Sequence, residues 1–280
     1  MIIGHEDFLL SFAKLADRGE ISHGYIFWGP ERVGKKTVAL ELARYLEEKK
    51  FSESDILKNK GSILGDCRVV SPDETKKIGI DAARDIKYFL WQKPNRSEYR
   101  TVVIDDAHLL TAEAQDALLK IAENPPASTL LIVIVRNPEL LTPTLNSRLQ
   151  KIYFAPVGEE KIREWLIKEF HLAAAKSTEI AKCSLNTPGR AYALLYDEKF
   201  QKIRDAARAF LKVSRSERKN FIKELLLDDA FNFEEFLDAL IAERVEAKNF
   251  GDWHDLLALR KNAAYVNLNP RLHLEALFSK

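Results

Sequence analysis

Two glycines and a lysine set the chemistry of the N-terminal third, in the run Gly29-Pro30-Glu31-Arg32-Val33-Gly34-Lys35-Lys36-Thr37. At the spacing G-x-x-x-x-G-K, backbone N–H groups and a helix N-terminus cradle phosphate oxygens while the lysine reaches the outer phosphates. Gly29, Pro30, Gly34, Lys35, Lys36 and Thr37 are therefore the candidate nucleotide-binding residues. The position after Lys35 ordinarily carries a hydroxyl that holds Mg²⁺. Here it is Lys36, a cation with no acceptor atom. Thr37 does not repair the defect, because one residue further is about 100° around a helix. The pattern describes a nucleotide site with a damaged hydrolytic half.

A second constellation is Thr101-Val102-Val103-Ile104-Asp105-Asp106-Ala107-His108, an apolar strand ending in two acids. In a Walker B element the first carboxylate supports Mg²⁺ and the second orients or deprotonates water. Asp106 stands where glutamate is usual, which draws the carboxylate back by roughly 1 to 1.5 Å, a large misplacement for a general base. The alternative is a strand ending in solvated acids that cap a helix. A third candidate is Arg148 in Leu141-Thr142-Pro143-Thr144-Leu145-Asn146-Ser147-Arg148-Leu149, expected on a short helix at the sheet rim. From there an arginine can neutralise charge on a neighbouring subunit's transferring phosphoryl group; taken alone it also reads as an ordinary surface arginine.

The elements that must position these residues follow from periodicity. Short apolar runs at Tyr25–Trp28, Cys67–Val70, Thr101–Ile104, Leu130–Val135 and Ile152–Phe154 read as strands. Between them, helical patterns cover Lys35–Leu46, Asp81–Leu90 and Ala112–Ala122, with Asp81 and Thr111 as expected N-caps and Pro125-Pro126 as a stop. An amphipathic helix around Phe8–Ala16 precedes them. Alternating strands and helices predict a parallel sheet with helices on both faces. After Pro156 the pattern is helical throughout, broken at Asn186-Thr187-Pro188-Gly189, Asn249-Phe250-Gly251-Asp252 and Asn267-Leu268-Asn269-Pro270.

Bulk properties exclude several classes. The 280 residues carry 43 Lys+Arg against 42 Asp+Glu, so no global charge advertises nucleic acid or a membrane, and DNA contact requires a local patch. Cys67 and Cys183 are far apart and outside any C-x-x-C context, so neither a disulfide framework nor a zinc site is expected. A reduced, cytoplasmic protein is the expectation, with no signal peptide pattern at Met1–Asp7 and no apolar run long enough to span a bilayer. His5, His23 and His108 lack the spacing of metal ligands. Trp28, Trp91, Trp165 and Trp253 are expected in core packing, and Lys93–Arg100 as a solvated loop. Arg204, Arg208, Lys212, Arg215, Arg218, Lys219 and Lys223 are expected on exposed helix faces.

Together these motifs resemble the clamp-loader subunits of bacterial DNA polymerase III, within the AAA+ family, and most closely their delta-prime branch. The likeness extends over nearly the whole chain. Ala114-Gln115-Asp116-Ala117-Leu118-Leu119-Lys120-Ile121-Ala122-Glu123-Asn124-Pro125-Pro126 is similar to the family's NALLKxLEEPP stretch, its most specific signature here. His23–Pro30 resembles the entry to the P-loop. Ser147-Arg148-Leu149 resembles the Ser-Arg-Cys motif, with Leu149 replacing cysteine. Thr187-Pro188-Gly189-Arg190-Ala191 resembles the sensor-2 segment, and Asn267–Leu277 the end of the collar. The family's four-cysteine zinc module is absent near Gly65-Asp66-Cys67, and Arg32 replaces a loop glycine, which strains or reshapes the loop.

The resemblance implies an AAA+ P-loop domain with a parallel five-stranded sheet (1–155), a small helical lid (156–198) and a helical collar for hetero-oligomer assembly (199–280). It makes Arg148 a trans-acting arginine finger, Asp106 a degenerate Walker B acid, and Asp105 and Arg190 nucleotide-facing residues. The implied partners are the gamma/tau and delta subunits, the sliding clamp, and primer–template DNA. The implied role is a stator that helps load the clamp and hydrolyses ATP weakly or not at all. ATP or ADP held without efficient turnover, with Mg²⁺ poorly accommodated, is the cofactor expectation. Two readings stay open on the residues alone, an ATP-hydrolysing gamma/tau-type motor and a small-molecule P-loop kinase.

Overall fold

A computed structural model describes residues 2–51, 64–214, 216–228, 231–247, 251–263 and 268–278. Arg215, Asn249, Phe250 and Asn267 lie outside the described residues. The chain divides into two compact units, Met1–Val157 and Gly158–Lys280.

The first unit is built on five parallel strands: β1 (Gly24–Trp28), β2 (Cys67–Val70), β3 (Arg100–Ile104), β4 (Thr129–Val135) and β5 (Gln150–Tyr153), in the order β2-β3-β4-β1-β5. The three central strands are buried almost throughout, as near-continuous apolar runs between two helix layers must be. The edge strands β2 and β5 are largely exposed. Alternation along β1 assigns the two faces. Ile26 joins a core with α3 (Ile80–Leu90) and α4 (Ala112–Glu123), through Ile86, Leu90, Leu118 and Ile121. Tyr25 and Phe27 point the other way, into an aromatic cluster with Phe154 and Phe12 of α1 (Glu6–Asp17). Helix α2 (Lys35–Glu48) buries Val38, Ala39 and Leu42.

Several local expectations are corrected. The fifth strand begins two residues before the expected Ile152. Thr111 caps α4 by accepting from the Ala114 N–H, but the N-cap of α3 is Gly79, with Asp81 inside the first turn. Arg148 is not on a helix, because α5 (Pro143–Asn146) ends at the cap residue Ser147. Trp91 is 61% exposed rather than packed in the core. The Lys93–Arg100 segment is pinned rather than freely solvated. Buried Asp66 accepts from the backbone N–H groups of Asn95, Arg96 and Ser97 at 2.6–2.9 Å, and pairs with buried Arg100 at 3.1 Å.

The second unit is helical: α6 (Glu159–Phe170), α7 (Ala174–Cys183), α8 (Pro188–Tyr196), α9 (Glu198–Lys212), α10 (Arg218–Leu225), α11 (Phe233–Glu246), α12 (Trp253–Ala263) and α13 (Pro270–Phe278). Pro188 opens α8 at a position that lacks an intrahelical N–H partner in any case. The core gathers Phe210, Phe236, Leu240, Leu256 and Leu274. Lys212, Lys219 and Lys223 are exposed as expected, but Arg204 and Arg208 are not free surface groups. Both are held in an ion-pair network with Glu179, Glu243 and Glu246. Arg218 donates to the Phe278 carbonyl and lies over the Phe210 and Phe278 rings. No helix among the described residues is long and apolar enough to cross a membrane.

Candidate functional site

The loop Gly29–Gly34 leaves the carboxyl end of β1 and runs into α2, so it lies at the sheet edge where open α/β proteins bind ligands. Glycine is obligatory at position 29. Its φ is 137°, and a Cβ there would sit 2.4 Å from the Phe154 carbonyl oxygen. Gly34 (φ 110°) caps α2. Arg32 keeps the left-handed backbone (φ 57°) that a glycine would adopt without strain.

Lys35, Lys36 and Arg136 each meet an oxygen of the chain. Lys35 is buried, and its Nζ donates to the carbonyls of Gly29 and Pro30, both at 2.6 Å. Burial lowers its pKa to about 8, against the opposing pull of Glu31, Asp106 and Asp105. Lys36 Nζ lies 2.9 Å from Asp105 Oδ2 at the end of β3. Arg136, one residue past β4, places its Nε 2.5 Å from Glu31 Oε1, and its carbonyl accepts from the Gly29 N–H. Thr37 is half-buried on α2.

The donor set does not fit Mg²⁺. An ammonium contacts the carboxylate that would support the ion, and no hydroxyl occupies the adjacent position. The two loop carbonyls take two of the three N–H groups of the Lys35 ammonium. Asp106 is exposed and left-handed (φ 48°) at the start of a short 3₁₀ turn, Ala107–Leu109.

Arg148 lies at the end of the turn between α5 and β5. Its guanidinium donates to Glu123 Oε1 at 2.6 Å and to the Thr144 carbonyl at 2.7 Å. Buried Gln115 on α4 braces the start of α5 by accepting from the Thr142 N–H at 2.8 Å. Arg190 belongs to the helical unit and is buried there. It donates to the Cys183 carbonyl, pairs with Asp238 at 3.3 Å and lies over the Phe200 ring. Thus the first unit gathers Gly29, Pro30, Gly34, Lys35, Lys36 and Asp105 into one cluster. Sequence reasoning missed Glu31 and Glu123 and assigned no contact to Arg136. An acid inside a phosphate loop, at Glu31, was the available signal.

The strand order, the loop after β1 and the paired acids after β3 define an AAA+ P-loop subunit. The profile of the family described as "DNA polymerase III, delta subunit" matches residues 4–158, more than half of the chain. The chain belongs to this family of clamp-loader proteins. Among curated relatives, the delta-prime subunit of Escherichia coli DNA polymerase III is 34% identical over 137 residues, 49% of this chain and 41% of that protein. The gamma/tau subunit of Mycobacterium tuberculosis is 29% identical over 174 residues, 60% of this chain and 30% of that protein. The chain thus matches about a third of the length of its gamma/tau relatives. A gamma-subunit-related protein from Thermotoga maritima has a similar fold, with a TM-score of 0.60 and 19% identity over 97% of both chains.

Proposed function

We propose that the chain is a stator of a clamp loader, a subunit that helps load the sliding clamp onto primed DNA without being the ATP-hydrolysing motor. The observation that carries this reading is the 2.9 Å contact between Lys36 and Asp105, an internal ammonium standing where a motor subunit holds its metal ion. The Lys35 contacts to its own loop support it. In this reading the partners are the gamma/tau and delta subunits, the clamp and primer–template DNA, and the setting is cytoplasmic. Residues 156–198 act as the lid and 199–280 as the collar.

Arg148 is then the residue that works in trans, offered to a neighbouring subunit's ATP. Its place just past α5, whose start Gln115 braces, supports that role. Asp106 retains no catalytic duty, and ATP or ADP in the loop would be a passive ligand. Removing such an arginine typically costs about 10³–10⁵ in rate.

The test is reconstitution with gamma/tau and delta. Arg148→Ala should assemble normally and suppress the DNA- and clamp-stimulated ATPase; unchanged ATPase removes the finger. The isolated chain should release phosphate no faster than its Lys35→Ala variant. A clear Lys35-dependent rate would favour the motor.

A further inference from the structure

Two chains of charge cross the helical unit, and both meet at Cys183. In the first, Arg204 reaches Glu179 of α7 at 2.9 Å and Glu243 of α11 at 3.0 Å. Arg208, one turn further along α9, repeats the pattern with Glu243 at 2.8 Å and Glu179 at 3.1 Å. Arg204 also lies 3.1 Å from the Cys183 sulfur, which itself faces Glu246 at 3.3 Å. In the second, Arg190 of α8 donates to the Cys183 carbonyl at 3.2 Å and pairs with Asp238 of α11. Asp238 is gripped from its other side by Arg260 of α12, at 2.6 Å and 3.2 Å, and Arg260 continues to Glu234 at 3.0 Å.

The centres of the two chains are sheltered and their ends are not: the side chains of Arg190, Glu243 and Arg204 are 6%, 11% and 13% exposed, those of Arg208 and Glu179 35% and 42%. A guanidinium is planar and donates in fixed directions, so a fork satisfied on two helices fixes how they are rotated against each other. Breaking such a contact leaves a sheltered charge without its partner, which costs far more than losing a surface pair. Cys183, Glu243 and Glu246 have the composition of a metal site, with ligand atoms within 4.8 Å of one another. Arg204 and Arg208 already engage both carboxylates, so the cluster's chemistry is that of a clasp.

We propose that the two charge chains weld α7 and α8 to α9, α11 and α12, so that the helices assigned to the lid and those assigned to the collar move as one body. Arg190 is a positioning residue of that weld. The stator's second unit is then a rigid arm rather than a hinged lid, a property that does not depend on the arginine finger.

Hydrogen exchange on the full chain, read by mass spectrometry, tests the weld. In the wild type, peptides from α7, α8, α9 and α11 should open together at one rate. Glu243→Gln should accelerate exchange in α7 by roughly tenfold, with the protection of β1, β3 and β4 unchanged as the control for folding. Arg190→Lys, which keeps the charge but loses the fork, should release α8 selectively. The proposal is overturned if α7 and α8 exchange independently of α11 in the wild type, or if either folded variant keeps wild-type protection there. The wild-type comparison decides the matter even if a variant fails to fold.

Discussion

Lys36 Nζ lies 2.9 Å from Asp105 Oδ2, so the residue that replaces the metal-holding hydroxyl also neutralises the carboxylate that would have supported the metal. The missing hydroxyl and the occupied carboxylate are thus two sides of one interaction. Lys36→Thr should separate them. With Asp105 released and a hydroxyl restored, calorimetric titration with ATP should become Mg²⁺-dependent in the variant, whereas the wild type should show no such dependence. Because Lys36 is 44% exposed, the lost pair should change stability by less than about 1 kcal/mol. Steady turnover is not expected, because Asp106 remains short and left-handed.

The loop's backbone gives a prediction of opposite sign at two neighbouring positions. Arg32→Gly relieves a left-handed residue at a cost of roughly 1–2 kcal/mol, offset by the greater freedom of glycine in the unfolded chain. The net result should be neutral to about 1 kcal/mol stabilising in urea denaturation. Gly29→Ala should destabilise by more than about 2 kcal/mol, since it combines a forbidden φ with a clash against the Phe154 carbonyl. A Gly29→Ala protein as stable as the wild type would show that the loop adopts another conformation.

Lys35 makes stability depend on pH in a defined window. Its folded pKa of about 8 lies below the ordinary 10.5. Between those values the unfolded chain binds more protons, so stability rises with pH across the window. Below pH 8 the full penalty of the buried charge is present, about 3 kcal/mol. Denaturant titrations at pH 7.5 and 10 should therefore show a gain in the wild type that Lys35→Met lacks. Parallel pH profiles for the two proteins would contradict the burial of the ammonium.

The strands and their alternation with helices were legible because β1, β3 and β4 are short apolar runs separated by helical patterns. The P-loop and the Asp105–Asp106 pair were legible for the same reason: a local motif sits at a strand end. What the sequence hid is pairing between distant segments. Arg204 has the spacing of a solvated helix face, and only the approach of α7 and α11 turns it inward. Arg148 was expected on a short helix, yet α5 closes at Asn146, because the chain must become extended to enter β5 at Gln150. Glu31 and Arg136 are 105 positions apart and meet only because β1 and β4 are neighbours.

Asp66 anchors the segment that leads into β3, and its removal should be costly. Burial raises its carboxyl pKa, but the N–H groups of Arg96, Asn95 and Ser97, together with Arg100, outweigh burial and hold it below 3.8. Its contribution is therefore present above that range and lost as pH falls through the depressed value. Asp66→Asn leaves Arg100 buried beside a neutral group and should cost about 3–5 kcal/mol. Thermal unfolding at pH 7 measures it. A shift within error would mean that Arg100 finds its partner elsewhere.

Arg148 rests on Glu123, and the exposure of that pair decides how easily it is surrendered. The two side chains are 34% and 44% exposed, so solvent screens the pair and its net worth is below about 1 kcal/mol. In the proposed role, a neighbour's phosphates would offer several charged acceptors in a drier interface and draw the guanidinium from a single screened carboxylate. Glu123→Gln should accordingly leave folding stability within about 1 kcal/mol of the wild type, and the assembly's stimulated ATPase within roughly fivefold. Arg148→Lys should fall nearly as far as Arg148→Ala, because a point charge cannot reproduce the planar fork. Measured side by side in the reconstituted assembly, the two substitutions separate the roles. If Glu123→Gln lost as much activity as Arg148→Ala, Glu123 would be part of the working site rather than a resting place for its arginine.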